Sequence, residues 1–168
     1  MTNIALTFKW SRWDHMLALG FGAGLSPVAP GTVGTLVAIP LYWGLKSIDP
    51  ELYLAAIVLG LVAGVYVCSR VAHDLGQDDH PAIVWDEVIG YWVAMLGAPL
   101  TWQYMLLGFV LFRLLDIWKP GPIAWVEKKT PGGLGVMLDD LLAGIVAALG
   151  LNFLAFLSTN YFDLYTSP

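Results

Sequence analysis

The chain has 168 residues, of which 58% are hydrophobic and only 12% are charged, and its formal net charge is −5. Average soluble domains are about 45–50% apolar and about 25% charged, so this composition excludes an ordinary soluble protein and indicates a membrane protein. The acidic balance, without any basic run, also excludes nucleic acid as a partner.

The N-terminal region carries charged and aromatic residues that suit a cytoplasmic anchor at the membrane surface: Lys9, Trp10, Arg12 and Trp13. The uncharged segment 16–48 follows, but its residues 20–35, GFGAGLSPVAPGTVGT, are rich in glycine and proline. We expect no helix to run through that stretch and predict helix, loop, helix. The loop should be buried in protein or face water, because bare backbone is not tolerated in lipid.

Two further uncharged segments, residues 52–69 and 141–162, are long enough to cross a bilayer as helices. The second contains small residues such as Ala143, Gly144 and Ala147, which allow close packing of membrane helices. We therefore predict a spanning helix in each segment.

The uncharged segment 88–112 is interrupted at residues 97–102, GAPLTW, where Pro99 disfavours helix at the preceding residue. A single straight helix would place Glu87 and Arg113 on opposite sides of the membrane. We predict instead a hairpin of two shorter helices that turns at residues 97–101 and brings both charged groups to the same side.

The expected fold is all-α. It is a polytopic membrane helical bundle in one domain, residues 1–168, with spanning helices plus helix–loop–helix segments broken at residues 20–35 and 97–102. The positive-inside rule makes the side richer in Lys and Arg cytoplasmic and leaves only Lys46 opposite. The residues expected on the cytoplasmic side are Lys9, Arg12, Arg70, Arg113, Lys119, Lys128 and Lys129.

Polar clusters border the uncharged segments. They are Asp78, Asp79 and His80 with Asp86 and Glu87, then Arg113, Asp116 and Lys119, then Asp139 and Asp140. Acidic residues at a helix start are favoured by the helix dipole, which would explain both acidic pairs without a ligand. The two cations Arg113 and Lys119 are nevertheless outnumbered by the five carboxylates nearest to the uncharged segments. These are Asp86, Glu87, Asp116, Asp139 and Asp140. We therefore favour a divalent cation with oxygen ligands, and Mg²⁺ is the usual choice near phosphates.

Glycine follows two of these carboxylates after one helical turn, Gly90 after Asp86 and Gly144 after Asp140. A residue without a Cβ leaves room beside the carboxylate for a ligand or for another backbone. The sequence leaves both uses open.

The glycine-rich stretch 20–35 also has two interpretations. Its backbone N–H groups could cradle a phosphate, with the hydroxyls of Ser26 and Thr32 as further donors. It could equally be a helix-breaking turn between packed helices. It is not a Walker A loop, because it lacks GK[ST].

Four blocks together carry a family resemblance: GFGAGLSPVAPGTVGTL, IVWDEVIGYW, FRLLDIWKPGPI and GGLGVMLDDLLAG. In their order and spacing they closely resemble the phosphatidylglycerophosphatase A family, over residues 19–144. The resemblance implies a membrane-bound, Mg²⁺-dependent lipid phosphatase of bacterial phospholipid synthesis. Such an enzyme hydrolyses phosphatidylglycerol phosphate to phosphatidylglycerol and phosphate, at the cytoplasmic face of the inner membrane.

The site residues implied by the resemblance are Asp86, Glu87, Arg113, Asp116, Lys119, Asp139 and Asp140, with the loop 26–34 beside the headgroup. We expect the metal ligands among Glu87, Asp116, Asp139 and Asp140. The expected phosphate-binding residues are Arg113, Lys119, Ser26 and Thr32. Asp86 or Asp140 would orient or deprotonate the attacking water, and a covalent aspartyl-phosphate route stays open.

Two alternatives remain. One is another metal-dependent membrane lipid enzyme, such as a CDP-alcohol phosphotransferase, whose pattern DG…AR…G…D…D is absent here. The other is a small cation-binding transporter, which would hold its carboxylates near mid-membrane, whereas the sequence places them at segment ends. The oligomeric state does not follow from the sequence.

Overall fold

The computed structural model describes residues 11–47, 49–77 and 80–166, with side chains described as far as residue 159. Within these residues the secondary structure is seven α-helices and one 3₁₀ segment, which confirms the all-α prediction. The helices are α1 Trp13–Ala18, α2 Pro30–Lys46, α3 Pro50–Leu75, α4 Trp85–Ala94, α5 Trp102–Trp118, α6 Pro122–Lys129 and α7 Gly132–Thr166, and the 3₁₀ segment Gly20–Leu25 lies between α1 and α2. Lys9, Trp10, Asp78 and Asp79, which carry predictions above, lie outside the described residues.

Two helices are long and apolar enough to cross a membrane by length and composition, α3 and the part Gly132–Thr159 of α7. Asp49 caps α3 by accepting the N–H of Glu51 at 2.8 Å, and Gly76 ends it at φ +73°. At 1.5 Å per residue α3 is roughly 39 Å long, which exceeds the roughly 30 Å hydrocarbon core. A helix of sufficient length and apolar composition is therefore present in each of the two segments that were predicted to span the membrane.

The break predicted over residues 20–35 is shorter than expected. The 3₁₀ segment contains Phe21 and Gly22 at positive φ, and Ala29 is left-handed at φ +46°, but α2 already begins at Pro30. Proline at the first helical position costs no hydrogen bond, because that N–H has no helical partner anyway. The predicted helix, loop, helix pattern is therefore present, with the break confined to the residues before Pro30.

The segment 88–112 forms the predicted hairpin. α4 stops before Gly97, which has φ +76°, and α5 begins at Trp102, with Thr101 as the N-cap whose hydroxyl accepts the N–H of Tyr104 at 3.4 Å. Arg113 Nη1 in α5 lies 3.8 Å from Glu87 Oε1 in α4. The two charged groups therefore lie at the same end of the hairpin.

Helix α4 is the enclosed centre of the bundle, in contact with α2, α3, α5 and α7. Every residue of α4 except Glu87 is buried. The indole N–H of Trp85 donates to the carbonyl of Gly60 in α3 at 3.0 Å, and that of Trp92 donates to the carbonyl of Ala38 in α2 at 3.2 Å. The acidic first turn of α4 is thus held inside the bundle.

Helix α7 starts earlier than the sequence indicated. It begins at Gly132, so Asp139 and Asp140 are its eighth and ninth residues, and Asp140 lies roughly 12 Å from the helix start. A Cβ on Gly133 would lie 2.4 Å from the amide nitrogen of Ser69, so a glycine allows this turn to pack directly on α3.

The expectation that Asp139 and Asp140 begin a helix is therefore wrong, so the helix dipole does not explain them.

Candidate active site

Gly90 and Gly144 mark the point where α4 crosses α7. A Cβ on Gly144 would lie 2.5 Å from the carbonyl oxygen of Gly90, and a Cβ on Gly90 would lie 3.0 Å from the carbonyl oxygen of Asp140. Of the two uses that the sequence allows, the structure shows close packing of another backbone at Gly144, whereas the Phe112 ring and the carbonyl of Asp140 together fill the space beside Gly90. The crossing brings together Asp86 and Asp140, each one turn before its glycine.

Three carboxylates converge beside this crossing. One oxygen from each of Asp86, Glu87 and Asp140 lies within 4.8 Å of the others. Asp86 is 8% exposed and Asp140 2%. Among the described residues, no hydrogen-bond partner reaches the buried atoms Asp86 Oδ1, Glu87 Oε2 and Asp140 Oδ2. Unpaired buried carboxylate oxygens are unfavourable, so this trio fits a bound cation.

Burial also disfavours the charged forms of the two carboxylates on α4. It raises the pKa of Glu87 to about 7, and it holds the pKa of Asp86 well above its usual range, with the charges of Glu87 and Asp140 acting in the same direction. Such a cluster retains protons near neutral pH unless positive charge enters it. Hard divalent cations with oxygen ligands supply that charge in proteins.

Arg113 contributes one positive charge from α5. Its Nη1 lies 2.6 Å from Asp116 Oδ2 and 3.8 Å from Glu87 Oε1. Its Nε is buried and has no hydrogen-bond partner among the described residues. Arg113 thus connects Asp116 with the carboxylate trio and still has a donor to offer.

Lys119 contributes the second positive charge, just after the end of α5. Its Nζ donates to Asp139 Oδ2 at 2.6 Å and to Glu127 Oε1 at 2.7 Å. Burial alone would lower the pKa of Lys119, but the two carboxylates raise it, so the amine stays charged. Glu127, in α6, was not predicted as a site residue. The sequence shows it only as a carboxylate between the blocks FRLLDIWKPGPI and GGLGVMLDDLLAG, which belongs to neither of them.

The start of α2 lies against the same site. A Cβ on Gly31 would lie 2.1 Å from Glu87 Oε1 and 3.1 Å from Arg113 Nη1. The N-terminus of a helix carries partial positive charge and free N–H groups. Thr32 follows in this first turn, whereas the Ser26 hydroxyl donates to a backbone carbonyl two residues on. Phosphate binding by Ser26 and Thr32 stays a prediction.

The structure thus brings the predicted carboxylates and cations close together, but each carboxylate has its own partner or set of neighbours. Asp86, Glu87 and Asp140 form the close trio, whereas Asp116 pairs with Arg113 and Asp139 with Lys119. The trio differs from the predicted ligand set, since Asp86 is inside it. Which residues bind metal stays a prediction.

The sequence profile of the family described as Phosphatidylglycerophosphatase A matches residues 16–155, which include all of these residues. Phosphatidylglycerophosphatase A of Escherichia coli (strain K12) is 47% identical over 147 residues, which is 87% of this chain and 86% of the relative. The protein of the same name from Haemophilus influenzae is 42% identical over 137 residues, 80% of this chain and 84% of the relative.

A third relative, from Bacteroides thetaiotaomicron, is named putative phosphatidylinositol-3-phosphatase. It is 36% identical over 138 residues, which is 77% of this chain and 86% of the relative. No solved structure matches the chain. On the profile match and the first two relatives, the chain belongs to the phosphatidylglycerophosphatase A family.

Proposed function

We propose that this protein, a lipid phosphatase by its family, hydrolyses the terminal phosphomonoester of phosphatidylglycerol phosphate with the help of Mg²⁺. The products are phosphatidylglycerol and inorganic phosphate. The names of two relatives support the substrate. The observation that carries the site is the buried trio Asp86, Glu87 and Asp140, with its unpartnered oxygens beside Arg113.

The trio fits Mg²⁺ by the chemistry of its donors. Asp86, Glu87 and Asp140 would supply hard carboxylate oxygens, and Mg²⁺ ordinarily completes its shell with waters and substrate phosphate. When bound, the cation supplies charge neutralisation and polarisation of the phosphoryl group.

The cationic side chains would bind and stabilise the phosphoryl group. Arg113 has a buried Nε without a partner among the described residues, so it can donate to a phosphoryl oxygen without giving up a bond. The first turn of α2 lies against Glu87 and Arg113 at Gly31, and the N-terminus of a helix is favourable for binding a phosphate. Donors fixed in advance stabilise the negative charge that spreads over the phosphoryl oxygens in the transition state.

One carboxylate would manage the proton of the attacking water. Asp86 or Asp140 is proposed for this step, through an oxygen that does not bind the cation, because both lie in the trio and are nearly enclosed. Water attacks phosphorus, the bond to the glycerol oxygen breaks, and the proton removed from water ends on that leaving oxygen. A covalent route would have one aspartate attack phosphorus and expel the glycerol oxygen, which takes up a proton, and water would then hydrolyse the aspartyl phosphate to release inorganic phosphate.

We further propose that the site opens to the cytoplasmic face of the bacterial inner membrane. The two apolar helices α3 and α7 support membrane insertion by length and composition. Arg70, near the C-terminal end of α3, contacts Asp14 of α1, which also pairs with Arg12. Lys46 lies over the ring of Tyr53, near the N-terminal end of α3. By the positive-inside rule, the end of α3 with more cations would face the cytoplasm.

Phosphate release from phosphatidylglycerol phosphate by the purified, detergent-solubilised protein tests the proposal. Release should require Mg²⁺, should stop with excess chelator and should return when Mg²⁺ is restored. Full activity in chelator would contradict the metal, and no release under any of these conditions would contradict the reaction.

A further inference from the structure

A pocket of about 140 Å³ adjoins the carboxylate site between α6 and α7. One ordered water needs roughly 10–15 Å³ of such space, so there is room for several waters or a three-carbon alcohol. Asp139 lines this pocket and is also the direct neighbour of Asp140 in the trio. The residues that line it are Glu127, Thr130, Pro131, Gly132, Gly135, Val136 and Asp139.

The lining of the pocket is suited to hydroxyl groups and unsuited to a phosphate. Its two ionisable side chains, Glu127 and Asp139, are both acidic, and they share the single cation Lys119. The net charge of this group is therefore negative, which repels a second anion. Carboxylates accept hydrogen bonds. Asp139 uses Oδ2 on Lys119 and Oδ1 on the N–H of Asp140, whereas Glu127 uses Oε1 on Lys119 and keeps Oε2 to accept a hydrogen bond from a hydroxyl group.

The pocket also lies where a lipid headgroup would lie. Helix α6 carries the exposed Trp125, with Lys129 over its ring at 4.8 Å, and the exposed Trp118 ends the preceding helix. Exposed tryptophan and lysine at helix ends are typical of the membrane–water interface. The Glu127 side chain is 37% exposed, so a headgroup can reach it.

We infer that this pocket recognises the glycerol of the substrate headgroup, and that the Glu127 carboxylate accepts a hydrogen bond from its secondary hydroxyl. The inference rests on the proposed function. In phosphatidylglycerol phosphate this hydroxyl is on the carbon next to the one that carries the reacting phosphate. When the phosphate is bound at the trio, the hydroxyl therefore lies within a few bonds of it. The adjacent pocket, which Asp139 lines, is then the space available for this hydroxyl. Glu127 is then a specificity-determining residue, separate from the residues that act on phosphorus.

The test compares two lipids and three proteins. The lipids are phosphatidylglycerol phosphate and the analogue with propane-1,3-diol phosphate in the headgroup, which lacks only the secondary hydroxyl. The proteins are the unaltered chain, Glu127→Ala and the control Lys128→Ala, whose exposed side chain is adjacent in sequence and outside the pocket. The readout is kcat/KM for phosphate release with each lipid, in the same detergent and with Mg²⁺.

We expect the unaltered protein and Lys128→Ala to prefer the natural lipid by ~10-fold or more, since a hydrogen bond to a charged acceptor is lost with the analogue. Glu127→Ala should abolish this preference, while the loss of its contact with Lys119 lowers the rates with both lipids by the same factor. An unaltered protein that cleaves both lipids equally would overturn the inference, as would a preference that survives in Glu127→Ala. An unaltered protein that cleaves neither lipid would instead overturn the proposed function.

Discussion

Gly144 of α7 packs directly on the carbonyl oxygen of Gly90 of α4, so closely that a Cβ on Gly144 would lie 2.5 Å from that oxygen. The two helices can approach this far only because neither residue has a side chain. One turn before each glycine stands an aspartate of the trio. The separation of Asp86 and Asp140 is therefore set by this crossing.

Gly144→Ala should separate the two helices and damage both stability and activity. The obstructing atom is backbone and cannot swing aside, so we expect a loss of about 1–3 kcal/mol in unfolding free energy. Phosphate release should fall as Asp86 and Asp140 move apart. Thermal unfolding in detergent and phosphate release measure the two effects.

The matched control is Gly44→Ala in α2, because a Cβ there would meet no atom within 4 Å. Alanine is the better helix former, so this variant should be unchanged or up to about 1 kcal/mol more stable. Equal behaviour of the two variants would contradict the role given to the crossing.

Asp139 and Asp140 are adjacent in sequence but should respond differently to loss of charge. Asp140→Asn removes a carboxylate from the trio and should lower kcat/KM by more than ~100-fold. Asp139→Asn removes one of the two partners of Lys119, while Glu127 remains, and should cost ~10-fold.

Steady-state phosphate release distinguishes the two aspartates. Asp49→Asn, at the N-cap of α3, is the control, since asparagine caps a helix as well as aspartate does. A larger loss for Asp139→Asn than for Asp140→Asn would reverse the assignment.

The sequence predicted those parts of the fold that depend on local composition. The length of the uncharged segments was enough to predict α3 and the apolar part of α7. Pro99, together with the charged residues Glu87 and Arg113 at the two ends of its segment, was enough to predict the hairpin of α4 and α5. The start of α7 was not predictable, because Gly133 and Gly135 are poor helix formers that are kept helical by packing on α3 and on Thr130.

The candidate site was predictable as a set of residues but not as a set of partners. Adjacent residues of a helix point about 100° apart, so Asp139 and Asp140 contact different neighbouring side chains. The identity of those side chains depends on how α4, α5 and α6 are placed around α7. Glu127 belongs to no motif and becomes visible only through its contact with Lys119.

Arg113→Lys should lower turnover although it keeps the positive charge. Nη1 of Arg113 lies beside both Glu87 and Asp116, and the buried Nε is a further donor held in a fixed direction. A lysine ammonium is a single point charge that can replace Nη1 but supplies no second donor in the position of Nε. We expect kcat to fall by ~100-fold.

Arg70→Lys is the control for this arginine. Arg70 pairs with Asp14 through a half-exposed side chain and belongs to none of the contacts of the carboxylate trio described above. The activity of Arg70→Lys should therefore stay within about two-fold of that of the unaltered protein. A comparable loss in both variants would contradict a direct role for Arg113.

Cysteine labelling tests the orientation of the hairpin. Gly97 itself is a poor position, because its φ is +76° and a Cβ would lie 2.5 Å from Asn152 Oδ1. In a Cys68→Ala background we expect Gln103→Cys to resist a membrane-impermeant maleimide added from the cytoplasmic side, and Lys128→Cys to react with it. Reaction at position 103 from the cytoplasmic side would contradict the hairpin topology.

The central claim is that Asp86, Glu87 and Asp140 hold the cation on which phosphate release depends. The most direct measurement is the Mg²⁺ concentration that gives half-maximal phosphate release from phosphatidylglycerol phosphate, for the unaltered protein and for Asp140→Asn. Loss of one ligand should raise this concentration by at least about 10-fold. An unchanged half-maximal concentration in Asp140→Asn would contradict the claim.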